Sequence, residues 1–263
     1  MAWDPDRYLA FGDLRSRPAL DLLARIPLSA PSRVVDLGCG PGTVTTLLRQ
    51  RWPEARLTGV DRSAEMLARA AALDGGVEWV EADLSSWQGE PSFDLIFSNA
   101  ALHWLDGHAE LFPRLQSMLA PGGVLAVQMP ANFDADSHRL IRELAASSRW
   151  RDRVANARMG SVLTVEAYHD LLAGGFQSVE IWETRYLQVL RGEDAVLQWL
   201  SGTTLLPYLD CLSDDERDVF IGQLRPLLRQ AYPMRGDGRV LFPFKRVFMV
   251  AVGAHAHVSR ETR

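Results

Sequence analysis

The chain has 263 residues, 47% hydrophobic and 23% charged, enough apolar mass for one full domain with an insertion or a small second domain, and too much for a disordered chain. Its formal net charge of −5 has the wrong sign for a protein whose main task is to coat DNA, RNA or an anionic membrane. Cys39 and Cys211 offer neither a metal-ligand spacing nor a disulfide framework, and no metal is expected. Lys245 is the only lysine, so nearly every positive charge is an arginine, whose planar fork suits carboxylates. The first residues, Met1-Ala2-Trp3-Asp4-Pro5-Asp6, lack a basic n-region and an apolar h-region, and no apolar run reaches the ~18 residues of a membrane helix. The expectation is a cytoplasmic protein without nucleic-acid or membrane partners, monomeric or weakly homo-oligomeric.

In chain order, residues 1–29 read as a helical arm. Arg33 to Asp36 is a short apolar run ending in a glycine loop, Gly38-Cys39-Gly40-Pro41-Gly42, and Thr43 to Arg51 is helical until Pro53. Arg56 to Val60 alternates as a strand and ends at Asp61, and Ser63 is a good N-cap for a helix over Ala64 to Ala72. Strands follow at Val77 to Val80 and Phe93 to Phe97. A helix spans Ala109 to Leu119, Pro121-Gly122-Gly123 turns the chain, and a strand runs from Val124 to Met129. This alternation predicts an α/β fold with a doubly wound, mostly parallel sheet. Beyond Pro130, helices are predicted over Ser137 to Trp150, Val165 to Ala173, Glu193 to Gly202 and Ser213 to Ala231, the last kinked or ended by Pro226. Strands are predicted from Phe176 toward Leu190 and over Val240 to Val252. Residues 30–253 would form the main domain, about 191–238 a helical lid insertion, and 254–263 a polar tail.

Three acids end three successive strands: Asp36, Asp61 and Asp83. In open α/β sheets ligands bind outside these carboxyl ends. A Gly38-Gly40-Gly42 loop admits a ligand close to the backbone, and the helix behind it turns its first amides toward an anionic group. A dinucleotide fold needs Gly-x-Gly-x-x-Gly, whereas Thr43 stands at the third-glycine position here. Asp36 before the loop would repel a diphosphate and attract an α-ammonium, which favours S-adenosyl-L-methionine over a nicotinamide dinucleotide. Asp61 suits two ribose hydroxyls and Asp83 with Leu84 an exocyclic adenine amine.

The runs Val34–Gly42, Asp61–Leu67, Glu81–Leu84, Phe93–Trp104 and Leu119–Gly123 together resemble the class I S-adenosylmethionine-dependent methyltransferases. The resemblance implies a seven-stranded Rossmann-like sheet whose last strand, Val240 to Val252, is antiparallel, and a cofactor site of Asp36, Gly38, Gly40, Pro41, Gly42, Asp61, Arg62, Asp83, Leu84, Asn99 and Ala100, covered by Tyr8 and Trp3.

The flanks are similar to a narrower group, the bacterial trans-aconitate 2-methyltransferases. The matching stretches are Trp3-Asp4-Pro5, Tyr8, Phe11, Arg15–Ala19, Leu22–Arg25, Gln50–Pro53, Leu111–Pro113, Val124–Pro130 and Ile181-Trp182; His103 departs, standing where that group has glutamine. The implied reaction is methyl transfer to one carboxylate of a small tricarboxylate, giving a monomethyl ester and S-adenosyl-L-homocysteine. A carboxylic acid ordinarily titrates near pH ~4, so its carboxylate is already ionised at neutral pH and no general base is required. Arg15 and Arg17, read as lying before the first helix, are candidates to clamp the remaining carboxylates, with Tyr8, His103 and Trp104 beside the acceptor and Trp199, Tyr208 and Arg235 as lid residues. Two alternatives stay open: another small acid or a phenol as acceptor, with His103 as base, and a module that binds the cofactor without catalysis.

Overall fold

The structure, a computed structural model, describes residues 16–73, 75–90 and 92–254. Trp3, Tyr8, Arg15 and the tail from residue 255 lie outside the described residues. Among the described residues, seven strands form one sheet in the order β3-β2-β1-β4-β5-β7-β6, with β1 Arg33–Leu37, β2 Arg56–Asp61, β3 Glu78–Glu81, β4 Phe93–Asn99, β5 Leu119–Pro130, β6 Ser178–Arg191 and β7 Arg239–Val252. β1 runs parallel to β2 and β4, β2 to β3, and β4 to β5. Val34, Val35, Leu95, Ile96, Phe97 and Val124 to Val127 are almost fully buried, the continuous apolar burial of strands covered on both faces. β7 is antiparallel: Gly122 and Gly123, at the start of β5, exchange hydrogen bonds with Ala254 and Gly253, just past the end of β7.

One expectation needs correction, and one predicted helix holds despite its interior proline. Pro121-Gly122-Gly123 does not precede β5 as a turn; it lies inside the strand, where the register jumps from Phe93↔Leu119 to Leu95↔Val124. Gly123 permits the bulge, because a Cβ there would sit 2.8 Å from the carbonyl oxygens of Ala120 and Phe93. Pro226, in turn, neither ends nor splits its helix, which runs unbroken over Asp214–Ala231. Pro226 and Gly222 are both exposed, so the Gly222 carbonyl that the proline leaves without an amide donor faces solvent. The Ser213–Glu216 capping box and the buried stripe Phe220, Leu224 and Leu228 offset the remaining cost.

The chain divides into two compact units. Among the described residues, the first takes those from Ser16 to Met129, Val162–Glu183 and those from Val247 to Ala254. Its helices are α1 Arg17–Ala24, α2 Thr43–Arg51, α3 Ala64–Ala71, α4 His108–Ser117 and α6 Val165–Ala173, joined by a 3₁₀ turn over Leu102–Trp104. The second takes Pro130–Ser161 and Thr184–Arg246, with helices α5 Asp136–Ala145, α7 Ala195–Ser201, α8 Leu206–Leu209 and α9 Asp214–Ala231. It has its own core of Trp150, Leu200, Tyr208, Phe220, Leu224 and Phe242. Trp150 is fixed there by edge-on packing against Phe220 and by donating Nε1–H to Gln223 Oε1 at 2.7 Å. Among the described residues no helix is long and apolar enough to cross a membrane.

Gly59 on β2 is fixed by packing: a Cβ there would fall 2.4 Å from the Trp79 ring and 3.1 Å from Cys39 Sγ. Gly59→Ala is expected to lower unfolding stability by about 1–3 kcal/mol. A double-mutant cycle with Trp79→Leu, read by denaturant titration, should recover part of that loss; full additivity would place the cost elsewhere.

Candidate functional site

Asp36 lies one residue before the end of β1, Asp61 closes β2, Glu81 closes β3 two residues before Asp83, and Asn99 closes β4. Because these strands are parallel, all four ends lie on one edge of the sheet. β1 lies between β2 and β4, so the strand order reverses there and a crevice opens at the switch point.

The glycines of the loop after β1 have separate tasks. Gly38, Gly40 and Gly42 all have positive φ, at 73°, 54° and 79°. A Cβ on Gly38 would lie 2.1 Å from Ala101 Cβ and 3.8 Å from Leu84 Cδ1, so Gly38 lets the loops after β1, β3 and β4 converge. One on Gly42 would meet Trp79 at 2.9 Å, a packing constraint. A Cβ on Gly40 would meet nothing within 4 Å among the described residues, so on that side the backbone borders open space. Pro41 is exposed beside it, and α2 begins behind Gly42 without a side-chain cap.

Asp61 is the hub of these loops. Its Oδ2 accepts the Gly40 N–H at 2.9 Å and its Oδ1 the Ser63 N–H at 2.9 Å, and each oxygen keeps capacity for a further donor. Asp36 is buried, and its Oδ2 accepts the Thr45 hydroxyl at 2.7 Å. Burial pushes its pKa up to about 7; the Thr45 bond pulls the other way and the Asp61 charge adds to the rise. Burial and the same two carboxylates push the Cys39 thiol well above its ordinary range, so it is a packing residue and not a nucleophile. Asp83 is exposed and accepts the Ser85 N–H at 2.8 Å; that bond, with the Arg62 charge as a lesser cause, holds its carboxyl below the usual range. Ala100 sits at φ 56° and donates to Gln128 O, and Asn99 Oδ1 is buried without a donor among the described residues.

These residues fit a cationic amino-acid nucleoside. The bare backbone at Gly40 leaves room for a ligand, Asn99 Oδ1 is a buried acceptor without a donor among the described residues, and a cationic group would stabilise the ionised form of buried Asp36. Among the described residues no group of three or more His, Cys, Asp or Glu side chains is placed to hold a metal ion.

On the neighbouring loop, the 3₁₀ turn carries a buried His103 and a Trp104 that is 44% exposed, with ring centroids 4.7 Å apart. Arg17 does not precede the first helix; it is the exposed first residue of α1, because Pro18 has the fixed φ that suits a first turn. Trp199 and Tyr208, read as lid-lining residues, belong to the core of the second unit: Trp199 packs on Phe242 and Phe244, and Tyr208 stacks on Phe220. Arg235 is exposed in the turn before β7. Sequence reasoning passed over Thr45, whose only signal was its place in the first turn of the helix after the loop, and a buried pair, His108 and Tyr168, 60 residues apart, which carried none.

A family model for a methyltransferase domain matches residues 11–180. The chain is 50% identical to the trans-aconitate 2-methyltransferase of Azoarcus sp. over 95% of its own length and 98% of that protein's. It is 45% identical to the protein of the same name from Escherichia coli O157:H7, over 95% and 97%. Among solved structures, the Bacillus subtilis YcgJ protein superposes with a TM-score of 0.59 at 13% identity, covering 91% of this chain and 99% of that one. The Haemonchus contortus phosphoethanolamine N-methyltransferase 2, in complex with phosphomonomethylethanolamine and S-adenosylhomocysteine, superposes with a TM-score of 0.57 at 20% identity over 91% of this chain, which spans about half (53%) of that longer protein. These two likenesses show the fold. With a methyltransferase-domain match over more than half its length and relatives near 50% identity end to end, the chain belongs to the trans-aconitate 2-methyltransferase family.

Proposed function

We propose that this protein transfers the methyl group of S-adenosyl-L-methionine to a carboxylate of trans-aconitate, giving the monomethyl ester and S-adenosyl-L-homocysteine. The observation that carries the cofactor half is Asp61, preset by the Gly40 and Ser63 amides with lone pairs to spare for a diol. Family membership carries the acceptor half. Bound S-adenosyl-L-methionine supplies an electrophilic methyl carbon on a sulfonium.

The residues of the chain hold and screen. Asp36 and Asn99 Oδ1 receive the ammonium, Asp61 the ribose hydroxyls, and Asp83 with Leu84 the adenine edge, while Arg62 beside Asp83 closes that side. Gly38, Gly40, Pro41 and Gly42 shape the bed, and Ala100, held at positive φ by its bond to Gln128, turns the chain from β4 toward the acceptor. His103 and Trp104 face the acceptor, and Tyr8, Arg15 and Arg17 act from the N-terminal segment. A carboxylate needs no proton removed at neutral pH, so alignment and exclusion of water are the whole task. His103 therefore serves as a hydrogen-bond partner and not as a base.

Incubating the protein with S-adenosyl-L-methionine and trans-aconitate should yield the monomethyl ester and S-adenosyl-L-homocysteine by mass spectrometry. Cofactor binding without turnover of any tricarboxylate would leave a methyltransferase for another acceptor. Asp61→Ala should weaken cofactor binding about 10–100-fold by calorimetry, since it removes a charged acceptor and frees two amides.

Asp36 gives a pH signature. Its raised pKa means the folded state binds this proton more tightly than the unfolded state. Without ligand, its ionisation therefore costs stability increasingly as pH rises from about 4 to about 7. Asp36→Asn should raise the Tm of the ligand-free protein at pH 8, by an amount equivalent to about 1–3 kcal/mol, and by less at pH 5. A bound ammonium keeps Asp36 ionised, so cofactor affinity in the native protein should fall by up to about tenfold per pH unit below pH 7, and this slope should vanish in Asp36→Asn. A slope that survives the substitution would assign it to another group.

A further inference from the structure

We infer that His108 and Tyr168 are positioning residues for the acceptor: a buried hydrogen-bonded pair that pins the Leu102–Trp104 turn, and with it His103 and Trp104, against the methyl-transfer centre. The inference rests on the reading of His103 and Trp104 as acceptor-facing.

For a neutral imidazole the geometry sets the direction of each bond in the pair. His108 is the first residue of α4, 6% exposed, and Tyr168 on α6 is fully buried. His108 Nε2 lies 3.0 Å from Leu102 O. A carbonyl oxygen only accepts, so Nε2 carries the hydrogen. In the neutral ring Nδ1 is then an acceptor, and the Tyr168 hydroxyl 2.7 Å away must donate to it. The phenol oxygen keeps a lone pair for the Leu163 N–H at 3.2 Å. A directed chain results: Leu163 N–H to Tyr168 Oη, Tyr168 Oη–H to His108 Nδ1, and His108 Nε2–H to Leu102 O. Burial pushes the Tyr168 phenol far above its ordinary range, so the donor stays protonated.

The end of that chain is the functional point. Leu102 O also accepts the Leu105 N–H at 2.9 Å, which closes the 3₁₀ turn, so both of its lone pairs are engaged. One bond shapes the turn and the other ties it to α4. His103 and Trp104 are the two residues between these anchors. Phe112 packs against both members of the pair, at 5.5 Å from the His108 ring and 5.3 Å from the Tyr168 ring. An apolar pair would fill the same space, but only the polar pair sets the direction of the Leu102 carbonyl.

The test compares Tyr168→Phe, His108→Asn and His108→Gln with the wild-type enzyme, reading trans-aconitate KM and kcat, S-adenosyl-L-homocysteine Kd, and the His108 tautomer by 15N NMR. Tyr168→Phe and His108→Asn should raise acceptor KM about 5–20-fold and leave the S-adenosyl-L-homocysteine Kd within about twofold. The Gln amide can still reach Leu102 O as a donor, so His108→Gln should retain an acceptor KM within about threefold of wild type. The wild-type spectrum should show the Nε2–H tautomer. An unmoved acceptor KM in Tyr168→Phe and His108→Asn, an equal loss of both ligands, or an Nδ1–H tautomer would overturn the inference while wild-type turnover stands. Absence of wild-type turnover with trans-aconitate would overturn the functional reading itself, and this inference with it.

Discussion

The site depends on one carboxylate that joins two loops. Asp61 takes the Gly40 amide with one oxygen and the Ser63 amide with the other, tying the glycine loop after β1 to the start of the helix after β2. Hydrogen bonds to a charged acceptor contribute about 1.5–3 kcal/mol each, enough to set the course of a loop whose glycines have few conformational preferences of their own. Ser63 then caps α3 by accepting the Met66 amide, so the tie passes from the loop into a helix end. The ligand edge is therefore organised by a group that still has acceptor capacity for a ligand.

That arrangement has an electrostatic cost, which the fold leaves uncompensated. Asp36 is buried near Asp61, and a single hydroxyl, from Thr45, does not offset its loss of water. A cationic ligand relieves the strain and a diphosphate would aggravate it. On the proposed function, selectivity for a sulfonium amino acid over a dinucleotide would come as much from the charge already in the crevice as from its shape. Asn99 Oδ1, a buried acceptor lacking a donor among the described residues, would work in the same sense.

The second unit follows a different logic. Its core is a cluster of aromatic and leucine side chains from α7, α8, α9 and the strand residues Phe242 and Phe244, with Trp150 anchored through Gln223. Trp199 and Tyr208, read from the sequence as lid residues, are used there for packing. Their fate shows why an aromatic residue in an inserted segment is weak grounds for a binding role: burying roughly 150–250 Å² of ring surface is sufficient reason for its presence.

Much of the architecture was legible in the sequence because it is written locally. Apolar runs of strand length alternate with helix-period segments, and the acids at the strand ends sit beside glycines whose left-handed φ no other residue adopts cheaply. The same local reading failed at Pro121-Gly122-Gly123, where turn chemistry was overridden by sheet pairing, whereas the helix read over Ser213 to Ala231 continues through Pro226. Pairings over long sequence distances were not legible at all. Thr45 on Asp36, the three-loop convergence at Gly38, and the His108–Tyr168 pair depend on which helix crosses which strand and on which ring nitrogen meets a carbonyl. Residue order sets the local periods and caps; only the folded chain decides which distant polar atoms are buried together, because a hydrogen bond reaches about 3 Å and carries no signature along the sequence.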